Sequence, residues 1–373
     1  MSSPSVAVAP SPAAQTSAPA PVSRLRGFGP NHYAAVMGTA MLATAGSGLP
    51  QHVAGLRALC AALWGVAALA LLAVLAARGA HWARHRDQAR AHLRSPAEAP
   101  FYGCLAMAFL ALSAATQRVG ADVLGHGAAT GLAEVLLAVG AVLAVAVAAG
   151  IPVLMIVHAR ARFADVSPVW LLPLVAPMVA ASVGPGLAGE LPAGQARETF
   201  VYGCLALFGT SLLAVLVVLP LVGARLLTGG GWPTRLAPSL FLVLGPLGQS
   251  TTATGAIADA ARGVLPDGTA RGLRVFSVVY GVPVMGFALL WLLIAAALVA
   301  RALARGLRPS STWWAFTFPV GTCVTGPTQL AAHTGLAAYR WLAAGIYVLL
   351  LLAWCAAAFG AVRELGARPA PAV

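Results

Sequence analysis

The chain has 373 residues, of which 60% are hydrophobic and 9% charged, with a formal net charge of +13. Charged residues make up about a quarter of an ordinary soluble protein, so this balance excludes a soluble globular domain and indicates an integral membrane protein. All the basic residues are arginine, which excludes chemistry that needs a lysine, such as the phosphate-binding loop of ATP-driven pumps or a Schiff base.

Residues 1–23 are mostly Ser, Pro, Ala and Val, with no charged side chain. They lack the basic start and apolar core of a secretory signal and read as a disordered tail. Ten apolar segments follow, at about 31–48, 58–77, 101–117, 128–157, 167–183, 199–222, 236–258, 275–300, 311–332 and 341–362. Each is long enough for a transmembrane helix. They form one transmembrane domain, 24–365, followed by a short tail, 366–373. With the N-terminus in the cytoplasm, the cytoplasmic segments hold 16 arginines and the outer ones 7. That bias predicts an even number of spans and both termini cytoplasmic. The positive charge then marks topology and contacts with anionic membrane lipid. It is not gathered on one domain with interleaved aromatics, so nucleic acid is excluded as a partner.

The spans alternate in kind. Even-numbered spans are plain apolar runs, although Pro152, Pro220 and Pro283 interrupt some of them. Odd-numbered spans are polar or rich in Pro and Gly. The first carries Gly38, Thr39 and Thr44; the third ends on Ser113, Thr116 and Gln117; the fifth holds Pro173 and Pro177; the seventh runs Gly245-Pro246 into Gln249, Ser250, Thr251 and Thr252. The ninth has Phe318, Thr322, Thr325 and Gln329 on one helical face, with Pro319 and Pro327 expected to bend or break it. This pattern predicts an all-α protein of ten transmembrane helices, arranged as five helical hairpins around a central pore. In each hairpin the odd helix faces inward and the even one faces lipid. Polar groups and freed backbone at membrane depth are tolerated where they line a water-filled path. Proline breaks would also leave half-helix N-termini able to bind anions. Taken alone, the ninth span also reads as a kinked packing helix with Phe318 in the core.

Titratable groups are few. Glu134 is the one charged residue within an apolar segment. It is a candidate proton site, with a packing or snorkelling role as the alternative. His32, His126 and His333 fall near span ends and read as interfacial. Five cysteines sit in apolar runs without a C-x-x-C pair and read as small buried hydrophobes. No metal-binding, hydrolase or Asp-rich motif is present, so the chain reads as a non-enzyme without metal or cofactor.

Four motifs in order carry a family resemblance. Gly29-Pro30-Asn31-His32-Tyr33 through Gly38-Thr39, Trp170-Leu-Leu-Pro173 through Pro177, Gly245-Pro246-Leu-Gly248-Gln249, and Trp313-Trp314-Ala-Phe316-Thr-Phe318-Pro319-Val-Gly321-Thr322 resemble the tellurite-resistance/dicarboxylate transporter family. That family includes fungal sulfite and malate transporters and is related to plant guard-cell slow anion channels. The resemblance covers about 24–365 and is closer to the fungal branch. It implies a homotrimer with one pore per subunit, passage of sulfite, a C4-dicarboxylate such as malate or a similar small anion, and location in the plasma membrane. It also implies an aromatic gate on the ninth helix. By its place before Pro319 that gate is Phe318; Phe316 is the competing match, about 200° away around the helix. The path is then expected to be lined by Gly38, Thr39, Gln117, Pro173, Pro177, Gln249, Thr252, Phe316, Thr322 and Thr325. A channel and a proton-coupled dicarboxylate carrier both remain open at this point.

Overall fold

The computed structural model describes residues 25–159, 161–229 and 232–366. The tail expected at 1–23 lies outside them, as does the one at 366–373 beyond Gly366. The described residues form helices joined by short connections, without strands. Twelve α-helices run in order: α1 (Tyr33–Ser47), α2 (Leu56–Arg84), α3 (Arg86–Arg94), α4 (Tyr102–Ala115), α5 (Ala121–Leu124), α6 (His126–Leu154), α7 (Leu171–Val183), α8 (Gln195–Thr228), α9 (Leu244–Ala261), α10 (Asp267–Ala304), α11 (Thr317–Thr334) and α12 (Ala337–Gly366).

The helices fall into two classes. One class is short, 13 to 18 residues: α1, α4, α7, α9 and α11. Each member is preceded by a 3₁₀ segment: Pro30–His32, Ala99–Phe101, Pro168–Trp170, Thr234–Val243 and Ser311–Phe316. The other class is long, 29 to 38 residues: α2, α6, α8, α10 and α12. At about 1.5 Å per residue these exceed the thickness of a hydrocarbon core. They run past the apolar stretches read from sequence because Arg, His and Gln at their ends are good enough helix formers to continue the turn.

Packing separates the same two classes. The short helices contact one another in the cycle α1–α4–α7–α9–α11–α1, which closes a ring. Each long helix packs outside, against its own short partner and the next one round. In the α4 and α7 elements 72% and 83% of the apolar window is buried, against 17% to 28% for the long helices. The long helices therefore present apolar side chains outward, among them Leu69, Val142, Val217, Leu293 and Leu352. Water would penalise such a surface, whereas hydrocarbon would not. Seven elements are long and apolar enough to cross a membrane; α1, α9 and α11 fall below that length or hydropathy.

Close helix approach fixes the ring. Gly103 of α4 lies against the Leu172–Pro173 backbone of α7, where an added Cβ would come within 2.6 Å of the Leu172 carbonyl oxygen. Gly248 of α9 lies as closely on Thr322 of α11. Prolines do not break the short helices as expected. Pro246 and Pro319 sit in first turns, where a backbone donor is unpaired in any case. Pro177 and Pro327 are carried inside continuous helices. Half-helix N-termini are thus absent from the described residues, and whole-helix N-termini take their place at one end of the ring. Four cysteines are buried, as their apolar surroundings suggested, while Cys355 is exposed on the outer side of α12.

Candidate functional site: two cavities and an aromatic septum

The ring encloses two cavities and a constriction between them. The larger, about 650 Å³, lies among the C-terminal halves of the short helices. Every one of the five elements gives it a polar group: Thr44 from α1, Gln117 from the turn after α4, Ser182 from α7, Gln249 and Thr252 from α9, and Thr325, Thr328 and Gln329 from α11. Arg118 and Asp259 add charges to its wall. The smaller, about 350 Å³, lies where the five short helices begin. It is largely apolar, with Asn31, Asp165, Arg225 and Arg235 among its polar lining.

Phe318 borders both cavities, and its residue is 3% exposed. It also borders a third space of about 20 Å³, with Met37, Met107, Leu171, Leu172, Val175 and Leu242. That space holds about one water. All five short elements contribute to this apolar neck. Pro319 and Pro246 lie in the same neck.

The residues expected to line a path separate into two groups. Gln117, Gln249, Thr252 and Thr325 face the larger cavity. Thr252 and Thr325 are hydrogen-bonded to each other at 2.7 Å across α9 and α11. Gln249 donates its amide N–H to Ser182 Oγ, and its carbonyl Oε1 is buried without a hydrogen-bond partner. The rest lie elsewhere. Thr39 donates to the Ala35 carbonyl and accepts the indole N–H of Trp354 on α12 at 3.0 Å. Gly38 is a contact point, where a Cβ would overlap the Thr317 hydroxyl. Thr322 is fully buried and donates to the Pro319 carbonyl at 2.7 Å, with the Leu244 carbonyl of α9 at 3.2 Å because Gly248 brings that helix against it. Phe316 packs edge-on against Phe241 and Trp313. Pro173 and Pro177 are buried in α7 and border none of the three spaces. Glu134 is exposed on α6.

Several site residues were missed by sequence reasoning. Arg118 was counted as an outer-loop arginine, but a π-turn at Thr116–Gly120 extends α4 and sets it in the cavity wall. A widened turn of this kind often marks a functional site. Its signal in sequence was the polar pair Gln117-Arg118 at the end of an apolar run. Asp259 lies one turn after Gly255 on α9, and Ser182 lies in an otherwise apolar α7. His333, read from sequence as interfacial, has its side chain 3% exposed, at the end of α11, where it meets Asp259.

At the other end, Arg225 donates to the Val166 carbonyl and stacks 4.8 Å above the Trp232 ring. The segment 25–28 is tied down nearby. Arg78 donates to the Phe28 carbonyl at 2.6 Å and to the Tyr102 hydroxyl at 2.9 Å.

A closed ring of polar-lined helices inside an apolar shell, with a cavity at each end of a narrow aromatic neck, defines a multi-pass membrane protein of the channel or transporter class. Residues 27–362 match the voltage-dependent anion channel family, and the chain belongs to it. It is similar to a sulfite efflux pump of Arthroderma otae, 26% identical over 88% of each chain. A sulfite efflux pump of Trichophyton rubrum is 26% identical over 81% of each. An uncharacterized transporter of Methanocaldococcus jannaschii is 24% identical over 88% of this chain and 91% of its own. The relation to fungal sulfite transporters read from the four motifs therefore stands.

Proposed function

We propose that the protein carries small oxyanions, sulfite foremost, through the centre of the ring, with Phe318 as the gate. The observation that carries this reading is that one phenyl ring borders both cavities and the apolar neck between them. A hydrophobic constriction closes a path by excluding the water an ion needs. Gln117, Gln249, Thr252 and Thr325 replace part of the anion's water shell in the larger cavity. Arg118 supplies a fixed positive charge there.

All five pairs of short and long helices count as hairpins in this proposal, giving ten spans. The arginine bias places both termini, and the smaller cavity, on the cytoplasmic side of the plasma membrane. Five helix N-termini then meet the cytoplasm together with Arg225 and Arg235. Each N-terminus carries about half a positive charge, which draws anions toward the neck. The larger cavity opens outward. Efflux of an anion made or accumulated inside follows from that arrangement, as in the sulfite pumps to which the chain is similar. Malate is the second substrate to test, since the larger cavity has room for it. The assembly is a homotrimer with one path per subunit, embedded among lipids.

Flux through purified protein in liposomes tests this. Sulfite, nitrate, chloride and malate are compared, each with and without a proton gradient. Sulfite flux above that of protein-free vesicles is expected, with malate slower. Absence of flux for every anion overturns the proposal. A gel-filtration mass near three chains checks the trimer.

A further inference from the structure

Three helices bring a polar triad together beside the larger cavity. The side chain of His333 on α11 is buried, with Nδ1 2.8 Å from Ser277 Oγ of α10 and Nε2 3.1 Å from Asp259 Oδ1 of α9. Ser277 is 2% exposed. Asp259 lines the cavity and pairs with Arg262 at 2.8 Å.

The hydrogens can be counted. Ser277 Oγ lies 2.8 Å from the Arg274 carbonyl as well as from His333. A hydroxyl has one proton to give, and an ionised carboxylate only accepts. If Ser277 donates to Arg274, its oxygen must accept from His333, so Nδ1 carries a hydrogen. Nε2, facing the carboxylate, carries one too, and the ring is an imidazolium. If the hydroxyl turns to donate to Nδ1, Nε2 alone carries hydrogen and the ring is neutral. The Arg274 carbonyl keeps its place in the α10 ladder in either case. Both states leave the triad hydrogen-bonded. They differ by one proton and the rotation of one hydroxyl.

We propose that Asp259, His333 and Ser277 form a proton-binding site that opens on the larger cavity through the Asp259 carboxylate and couples its protonation to anion occupancy there. The coupling rests on reading that cavity as part of the anion path. The charged residues at this end of the elements packed against the triad are Asp259 of α9, Arg262 just after it, Asp267, Arg271 and Arg274 of α10, Arg340 of α12 and, on the cavity wall, Arg118. Helix α1 brings no ionisable side chain other than Tyr33, which lies in its first turn at the opposite end of the ring. Arginine keeps its charge at any ordinary pH, and imidazole is the side-chain type here whose ordinary charge change falls between about pH 5 and 8, so the proton is assigned to His333. One added unit charge behind the wall, about 12 Å from the anion, raises occupancy by a small anion roughly tenfold at an effective dielectric of about 20. A proton taken up with the anion would place this protein with carriers whose flux depends on pH. Glu134, exposed on α6, faces neither cavity.

The test has two arms. In liposomes, the ratio of initial nitrate and sulfite flux at about pH 5.5 to that at about pH 8 is measured for the full chain and for H333Q, whose amide keeps the neutral hydrogen bonds. A ratio near ten that falls below about two in H333Q is expected; an unchanged ratio in H333Q overturns the proposal. The second arm does not depend on transport. Nuclear magnetic resonance of isotope-labelled histidine in the detergent-solubilised protein is followed against pH. One titrating ring should vanish in H333Q and shift its midpoint down in D259N, which removes the carboxylate that favours the imidazolium. If no titrating ring is lost in H333Q, the proton site does not exist, whatever the flux. If the ring titrates but no anion crosses in any protein, the transport reading fails and the coupling with it.

Discussion

Truncating Phe318 to Ala is the sharpest perturbation of the proposed path. The neck beside the ring has about 20 Å³, enough for one water, between cavities of about 650 and 350 Å³. An anion crossing it must shed its shell among Met37, Met107, Leu172 and Leu242. Taking a charge out of water into apolar surroundings costs many kcal/mol unless water or donors follow it. Removal of a phenyl group opens a gap of roughly 100 Å³, room for about three waters, and joins the two cavities. If this returns about 2–3 kcal/mol of that cost, flux rises roughly 30- to 140-fold at 1.4 kcal/mol per decade. The same truncation of a buried Phe lowers stability by about 3 kcal/mol, so expression and melting temperature are measured alongside. F318L should fall between the two. The assay is anion flux in liposomes at matched protein density. A folded F318A protein with the flux of the parent chain would refute the gate.

Three further outcomes follow from particular contacts. T39V removes the acceptor for Trp354 Nε1, so it should lower thermal stability by about 1 kcal/mol and leave anion selectivity unchanged, whereas Q249A should change selectivity; the reverse pattern in flux ratios would return Thr39 to the path. G248A pushes α9 from Thr322, and overpacking at such a contact costs about 1–3 kcal/mol; a melting temperature equal to that of the parent would show that the two helices yield there. Burial holds the imidazole of His92 below the ordinary histidine value, with Glu98 opposing and Arg78 and His81 adding to the shift. His92 lies on α3, outside the spans, and is 4% exposed. Its folded-state pKa lies below the unfolded value of 6.5, so the stability it contributes is present above 6.5 and is lost as pH falls through the folded value. Melting temperature should therefore drop between about pH 7 and 5, and H92Q should flatten that drop.

Much of the architecture was legible in the chain. Contrast between plain runs and runs carrying Thr, Gln, Gly and Pro separated outer from inner helices, because hydrocarbon accepts the first kind of surface and rejects the second. Phe318 was legible from its place before Pro319 in a motif. Which hydroxyls face the axis was not. The short helices are apolar around most of their circumference and buried on nearly every side, so no hydrophobic face phases them. Their rotation is decided where glycines let backbones touch. Gly248 turns Thr322 into the α9 contact and leaves Thr325, one turn on, facing the cavity. Thr39 and Thr44 look alike in sequence, yet Trp354 of α12 claims the first.

By itself, then, the sequence determined an all-α membrane protein with polar helices inside apolar ones. Composition and pattern suffice for that, since each helix answers separately to the bilayer or to its neighbours. Tertiary structure alone decided that Asp259, Ser277 and His333 meet, and that a π-turn sets Arg118 in the cavity wall. These groups come from separate helices, and their meeting depends on the rotation and offset that close packing imposes, which no single helix encodes.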